Sequence, residues 1–120
     1  MKIDEADDVA TNQLPSPVGY RLLIALPQVE TEYGSGIIKS DKAIMEERIL
    51  TVVGRVIEMG AQAYTDKERF PTGPWCNVGD FVVFRANSGT RLKVNGVEYR
   101  LMNDDSIEAV VLDPRGIARA

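Results

Sequence analysis

The chain has 120 residues, 44% of them hydrophobic and 27% charged, with a formal net charge of -4 and no histidine. That length builds one domain with a modest core and excludes a two-domain enzyme. The acidic balance argues against a general phosphate-backbone binder, and the missing histidine removes both the commonest general base and the commonest transition-metal ligand.

Residues 1–16 read as a flexible acidic tail. Met1-Lys2-Ile3-Asp4-Glu5-Ala6-Asp7-Asp8 lacks the basic start and apolar stretch of a secretory signal. Apolar runs along the chain are too short to cross a bilayer, so a cytoplasmic protein without a membrane span is expected. Val18 to Leu26 is a first strand, stopped by Pro27, which cannot donate to a ladder. Gln28 to Ser40 is polar and glycine-punctuated, and Asp41 to Arg48 holds good helix formers behind a capping residue, enough for one or two helical turns.

Within this stretch Gly34-Ser35-Gly36-Ile37-Ile38-Lys39 sets an aliphatic pair between glycines and a long polar run. Ile37-Ile38 reads either as a short buried strand or as a binding loop, and the flanking glycines and charges favour the loop. Two uncovered isoleucines carry a solvation cost of about 1.5 to 3 kcal/mol each, recovered when a partner's groove buries them.

Ile49 to Met59 is a β-branched second strand in which Gly54 marks a bulge or a close backbone approach. Gly60 to Phe70 is a polar excursion whose Asp66-Lys67-Glu68-Arg69 run suits a solvated tip, and Pro71 to Asp80 supplies turn signals. Cys76, the single cysteine, has no intramolecular disulfide partner and suits a small, partly buried apolar role. Phe81 to Arg85 is a third strand. Arg91 to Val94 and Val97 to Met102 flank Asn95-Gly96, a strong hairpin signal. Ser106 to Leu112 is the last strand, closed by Asp113-Pro114.

Short strands with glycine-rich turns imply an all-β fold, a small antiparallel β-barrel or sandwich. The carboxylate pairs Asp104-Asp105 and Glu46-Glu47 suit solvated surface positions better than an acid–base site. No metal cluster, dinucleotide fingerprint or phosphate loop is present in the sequence, so neither enzymatic activity nor a cofactor is expected.

Several of these runs, in this order, resemble the GroES family of co-chaperonins over about residues 17–112, and in particular its bacteriophage-encoded members. The matching runs are Arg21-Leu22-Leu23-Ile24, Gly36-Ile37-Ile38-Lys39, Gly54-Arg55-Val56-Ile57, Val78-Gly79-Asp80-Phe81-Val82-Val83-Phe84 and Ser106-Ile107-Glu108-Ala109-Val110-Val111. Arg69-Phe70-Pro71-Thr72-Gly73-Pro74-Trp75-Cys76 resembles the viral members.

The resemblance implies an irregular GroES-like β-barrel with a long mobile loop at about 28–48, a roof hairpin at about 59–77 and a C-terminal tail at 113–120. It implies a homoheptameric ring that caps a GroEL-type chaperonin of a bacterial host and encloses client proteins, a phage capsid protein being the attractive guess. Gly36, Ile37, Ile38 and Lys39 take the positions of the family's chaperonin-binding tripeptide, with Ile44 and Met45 adding apolar area. Lys39 departs from the usual aliphatic, and Asn87-Ser88 replaces the aromatic residue common before the glycine matching Gly89. A phage structural or assembly barrel without a chaperonin partner is the alternative. A single-stranded nucleic-acid binder is disfavoured, because no series of aromatic residues interleaved with basic ones is visible.

Overall fold

The computed structural model describes residues 13–26, 52–117 and 120. Aliphatic and β-branched runs form β1 (Arg21–Ala25), β2 (Val53–Met59), β3 (Phe81–Val83), β4 (Thr90–Val94), β5 (Val97–Asn103) and β6 (Ala109–Val111), with a 3-10 turn at Asp104–Ser106. They make one six-stranded sheet in the order β4-β5-β1-β2-β3-β6, antiparallel throughout. This is the all-β fold expected for a small GroES-like barrel, and β4 and β6 are its two edges.

Strand alternation selects the core face. Leu22, Ile24 and Leu26 along β1, Val56 on β2, Val82 and Phe84 at β3, and Met102 on β5 share one buried cluster with Ile107. Leu23, on the opposite face of β1, is fully buried as well, so the strand is covered on both sides.

β1 starts later than the apolar run suggests. Gly19 sits at φ +63 inside a turn in which the Arg21 N–H donates to the Val18 carbonyl at 3.2 Å. The last strand is also shorter, because the 3-10 turn occupies Ser106 and the Ile107 side chain packs into the core before β6 begins.

Of the two readings of Gly54, the close backbone approach holds and the bulge lies elsewhere. The register steps from Leu23↔Glu58 to Ile24↔Val56, so the bulge lies at Ile57. Gly54 itself is the close approach, because a Cβ there would collide with Cγ2 of Ile24 and stand 3.0 Å from the Ala25 carbonyl oxygen. Asn95 and Gly96 have φ of +53 and +85, the two left-handed residues that a type I′ hairpin turn requires, and they join β4 to β5.

Between Met59 and Phe81 the chain makes successive turns with no strand assigned, where a roof hairpin over about 59–77 was expected. The cause is a competition of contacts. Pro71 and Pro74 cannot donate to a ladder, and Tyr64, Phe70 and Cys76 turn inward to join the core. The Gly60 N–H donates to the Arg21 carbonyl at 2.8 Å and the Gln62 N–H to the Gly19 carbonyl at 2.9 Å, which fastens the start of the segment to the approach to β1.

Candidate functional site

Gly36, Ile37, Ile38, Lys39, Ile44 and Met45 lie outside the described residues, as do the helical turns expected at 41–48. The stems that carry this connection are described. β1 and β2 are hydrogen-bonded neighbours with Ala25 opposite Arg55, so the chain leaves the sheet after Leu26 and returns at Val52 beside its own exit. Two adjacent antiparallel strands need only about 2 to 5 residues to connect. The chain therefore leaves and re-enters the sheet at the same end, and both described stems are anchored. The Leu26 N–H donates to the Glu98 carbonyl at 3.0 Å, and the Phe84 N–H donates to the Val52 carbonyl at 3.0 Å.

A second cluster ties the 60–77 segment to the 3-10 turn. The Tyr64 backbone N–H donates to a carboxylate oxygen of Asp104 at 2.9 Å, and the Tyr64 hydroxyl donates to the Asp104 carbonyl at 2.7 Å. The same hydroxyl lies 3.5 Å from Cys76 Sγ. Arg69 pairs with Asp105 and stands 3.9 Å from the Asp104 carboxylate. Phe70 meets both Tyr64 and Trp75 edge-on at 4.9 Å between ring centroids. Adjacent in sequence, the two aspartates have separate structural duties: Asp104 is buried and receives the Tyr64 amide, while Asp105 stays at the surface with Arg69.

Burial raises the Tyr64 hydroxyl well above its ordinary value of 10.0, with the Cys76 contact adding to the effect. Burial likewise raises the Cys76 thiol above its ordinary 9.0, partly offset by the Tyr64 hydrogen bond. Both groups stay protonated in the folded chain at pH values where the unfolded chain has released their protons. Their contribution is complete below about pH 9 and is lost as pH rises past 9 for the thiol and past 10 for the hydroxyl, because the unfolded chain releases protons that the folded chain retains. Urea midpoints measured from pH 7 to 10.5 are expected to hold level and then fall. Cys76→Ala is expected to remove the earlier part of the decline, and a curve of unchanged shape would refute the assignment.

The model of the chaperonin 10 Kd subunit family matches residues 15–111 of the chain. The chain belongs to that family. Among its relatives is a co-chaperonin GroES of Anoxybacillus flavithermus, 33% identical over 96 residues, an alignment covering 79% of the chain and 96% of the relative. The co-chaperonin GroES of Geobacillus kaustophilus is 32% identical over 95 residues, covering 79% and 97%. That of Bacillus sp. strain PS3 is 33% identical over 95 residues, covering 79% and 96%.

In this member of the chaperonin 10 Kd family the link from β3 to β4 is held by a residue that the sequence pattern hides. Arg100 lies on the core face of β5, opposite Ile24, and is completely buried. Its guanidinium donates to the Ala86 carbonyl at 2.6 Å and the Ser88 carbonyl at 3.2 Å, pairs with Glu98 at 3.4 Å, and stands over the Phe84 ring. Burial pushes its pKa down, and Glu98 opposes that shift. Arg100 thereby fixes the backbone that presents Asn87-Ser88, the site where this chain departs from the usual aromatic.

The described surface also carries apolar groups with no cover in the single chain. Val110 and Leu112 are exposed at and beyond the β6 edge, Val18 and Tyr20 precede β1, and Trp75 stands 44% exposed on the turn segment. Residue type alone did not distinguish these aliphatics from core residues. Their exposure follows from β6 being an edge strand with β3 on one side only. Among the described residues no group of three or more Cys, Asp or Glu side chains is placed to hold a metal, and no helix is long and apolar enough to cross a membrane.

Proposed function

We propose that this chain is a co-chaperonin that forms a ring-shaped lid on an ATP-driven chaperonin of GroEL type in a bacterial cytoplasm, enclosing client proteins while they fold. The observation that carries this reading is the long connection 27–51, inserted between the two paired strands β1 and β2, with Gly36-Ile37-Ile38-Lys39 at its middle. The family membership of the chain and the names of its relatives support it. Gly36, Ile37, Ile38 and Lys39 contact an apolar groove of the chaperonin, and Ile44 and Met45 extend the buried area. Lys39 lays its aliphatic stem along the groove with the ammonium in water.

Ordering each loop residue costs about 1 to 2 kcal/mol of backbone entropy, so one loop with two or three apolar anchors binds weakly. A ring presenting identical loops converts later contacts into intramolecular ones and raises avidity by about 10² to 10⁴ over a single site. Small changes in the chaperonin's nucleotide-dependent groove are multiplied in the same way, which makes the lid releasable. In the heptamer the β6 edge of one copy meets the segment preceding β1 of the next. The cap itself performs no chemistry, and a phage capsid protein is the client that the viral likeness of Arg69 to Cys76 suggests.

The test is the double substitution Ile37→Ser with Ile38→Ser. Losing about 1.5 to 3 kcal/mol of burial at each residue is expected to weaken one loop's contact by at least about 100-fold. Assisted refolding of a stringent substrate then falls to the level of chaperonin alone, while light scattering shows the oligomer unchanged. Full assistance from the double variant would contradict the loop assignment. An oligomer that is never retained by chaperonin, with or without ATP, would favour an assembly module instead.

A further inference from the structure

Trp75 is half exposed and packs against Phe70 and Tyr64. It lines a shallow groove with Thr72, Pro74, Ile107, Ala109 and Val110, between the turn segment and the β6 edge. Its ring stands 4.9 Å from Phe70 and 5.9 Å from Tyr64, and Tyr64 is in turn fastened to Asp104. We propose that a second copy of this chain covers this groove, so that the contact between subunits extends from the β6 edge onto the turn segment and buries Trp75. The inference rests on the reading of the protein as a ring former and adds a strip of contact to it.

The occupant follows from the shape and the strand order. Among the described residues β6 has β3 on one side and no strand on the other, and an unpaired edge carries backbone donors and acceptors that take up a further strand. Val110 on β6 and Leu112 just past its end are both exposed, Leu112 at 99%. Glu108 and Asp113-Pro114 bracket the run, so the uncovered stretch is Ala109 to Leu112. The other apolar patch, Val18 and Tyr20, precedes β1, and β2 and β3 stand between β1 and β6 in the sheet. Different patches on different strands make a head-to-tail contact between copies, the kind that closes rings.

The charges at the rims match. Arg21 follows Tyr20 at one patch, and the acids Glu108 and Asp113 frame the other; their present partners Arg85 and Arg115 are exposed and hold them weakly. Rigidity decides against a client polypeptide as the occupant. Surfaces that accept varied partners are flexible and able to repack, whereas Trp75 is fixed by aromatic edges and bounded by Pro74, and so suits one invariant partner.

Trp75 is the sole tryptophan, which makes the full-length protein its own probe. Emission and acrylamide quenching are followed through a dilution series, with mass read in parallel by light scattering. On assembly the quenching constant is expected to fall by at least about twofold and the emission to shift to the blue, with the same midpoint as the mass transition. Trp75→Ala is expected to raise the concentration needed for assembly by about tenfold or more, and Trp75→Phe to restore most of it. Equal quenching in ring and protomer would overturn the proposal and leave the ring reading standing. Protection that appears only when an unfolded client is added would overturn it in favour of client binding. A chain that stays monomeric at every concentration would sink both readings.

Discussion

Gly54→Val is expected to destabilise the protein by about 3 kcal/mol or more, read as a lower urea midpoint at unchanged slope. The position has no left-handed backbone to lose, so the whole effect is steric. A Cβ at Gly54 meets Cγ2 of Ile24, stands 3.0 Å from the Ala25 carbonyl oxygen and 3.3 Å from the Phe84 ring. None of these yields readily: Ile24 is completely buried, Phe84 is nearly so, and Ala25 is tied into the ladder opposite Arg55 and Tyr99. Gly54→Ala already places the offending carbon, so it is expected to lose part of the same stability, with the two further methyl groups of valine adding to it. Gly73→Ala is the comparison. An added Cβ there meets nothing within 4 Å, and the φ of +96 leaves only backbone strain, about 1 to 2 kcal/mol. If Gly54→Val unfolds at the wild-type midpoint, the close approach of β1 and β2 is not a constraint. That approach also sets where the 27–51 connection leaves and returns, so chaperonin retention is expected to fail together with stability.

Arg100→Ala is expected to cost about 2 to 5 kcal/mol, from the space left by a long buried side chain and the carbonyls it leaves without a donor. Glu98 keeps Arg91 at 2.9 Å, but the carbonyls of Ala86 and Ser88 lose their donor and the Phe84 ring loses the group lying over it. Arg100→Met separates charge from packing. It retains a long apolar stem beside Phe84 and leaves only the hydrogen bonds unmade, a loss of about 1 to 3 kcal/mol. Denaturant midpoints for the three proteins are expected in the order wild type, Met, Ala. A methionine variant as stable as wild type would show that the guanidinium's hydrogen bonds add nothing net. High salt is not expected to rescue either variant, because the lost guanidinium contacts are made by a completely buried side chain.

Much of the sheet was legible because its signals are local. Asn95-Gly96 announces its hairpin through the left-handed backbone that both residues tolerate. The alternation Leu22, Ile24, Leu26 is a period that needs no partner to be read. Gly54 flagged the β1–β2 contact, though not the bulge at Ile57, which a register between two strands decides. The 60–77 segment is organised by contacts that the sequence does not announce. Its polar tip and flanking turn residues suit a hairpin, while Tyr64, Phe70 and Cys76 reach the core and Tyr64 takes a φ of +60. Asp104 was read as solvated beside Asp105, because nothing in the pair itself tells which member meets the Tyr64 amide. The residues singled out for chaperonin contact, Gly36, Ile37, Ile38, Lys39, Ile44 and Met45, rest on motif order and on their place between β1 and β2.

Sequence alone determined the class of this protein: an acidic, histidine-free β protein whose ordered runs match the chaperonin 10 Kd subunit family. Those properties depend on composition, period and order, which are written along the chain. Tertiary structure decided which charges are buried, which aliphatics are left at an edge, and how the turn segment closes the core. Arg100 and Asp104 are inside because strands and turns distant in sequence bring carbonyls, amides and rings to them. Val110 and Leu112 are outside because, among the described residues, no strand of the same sheet lies beyond β6.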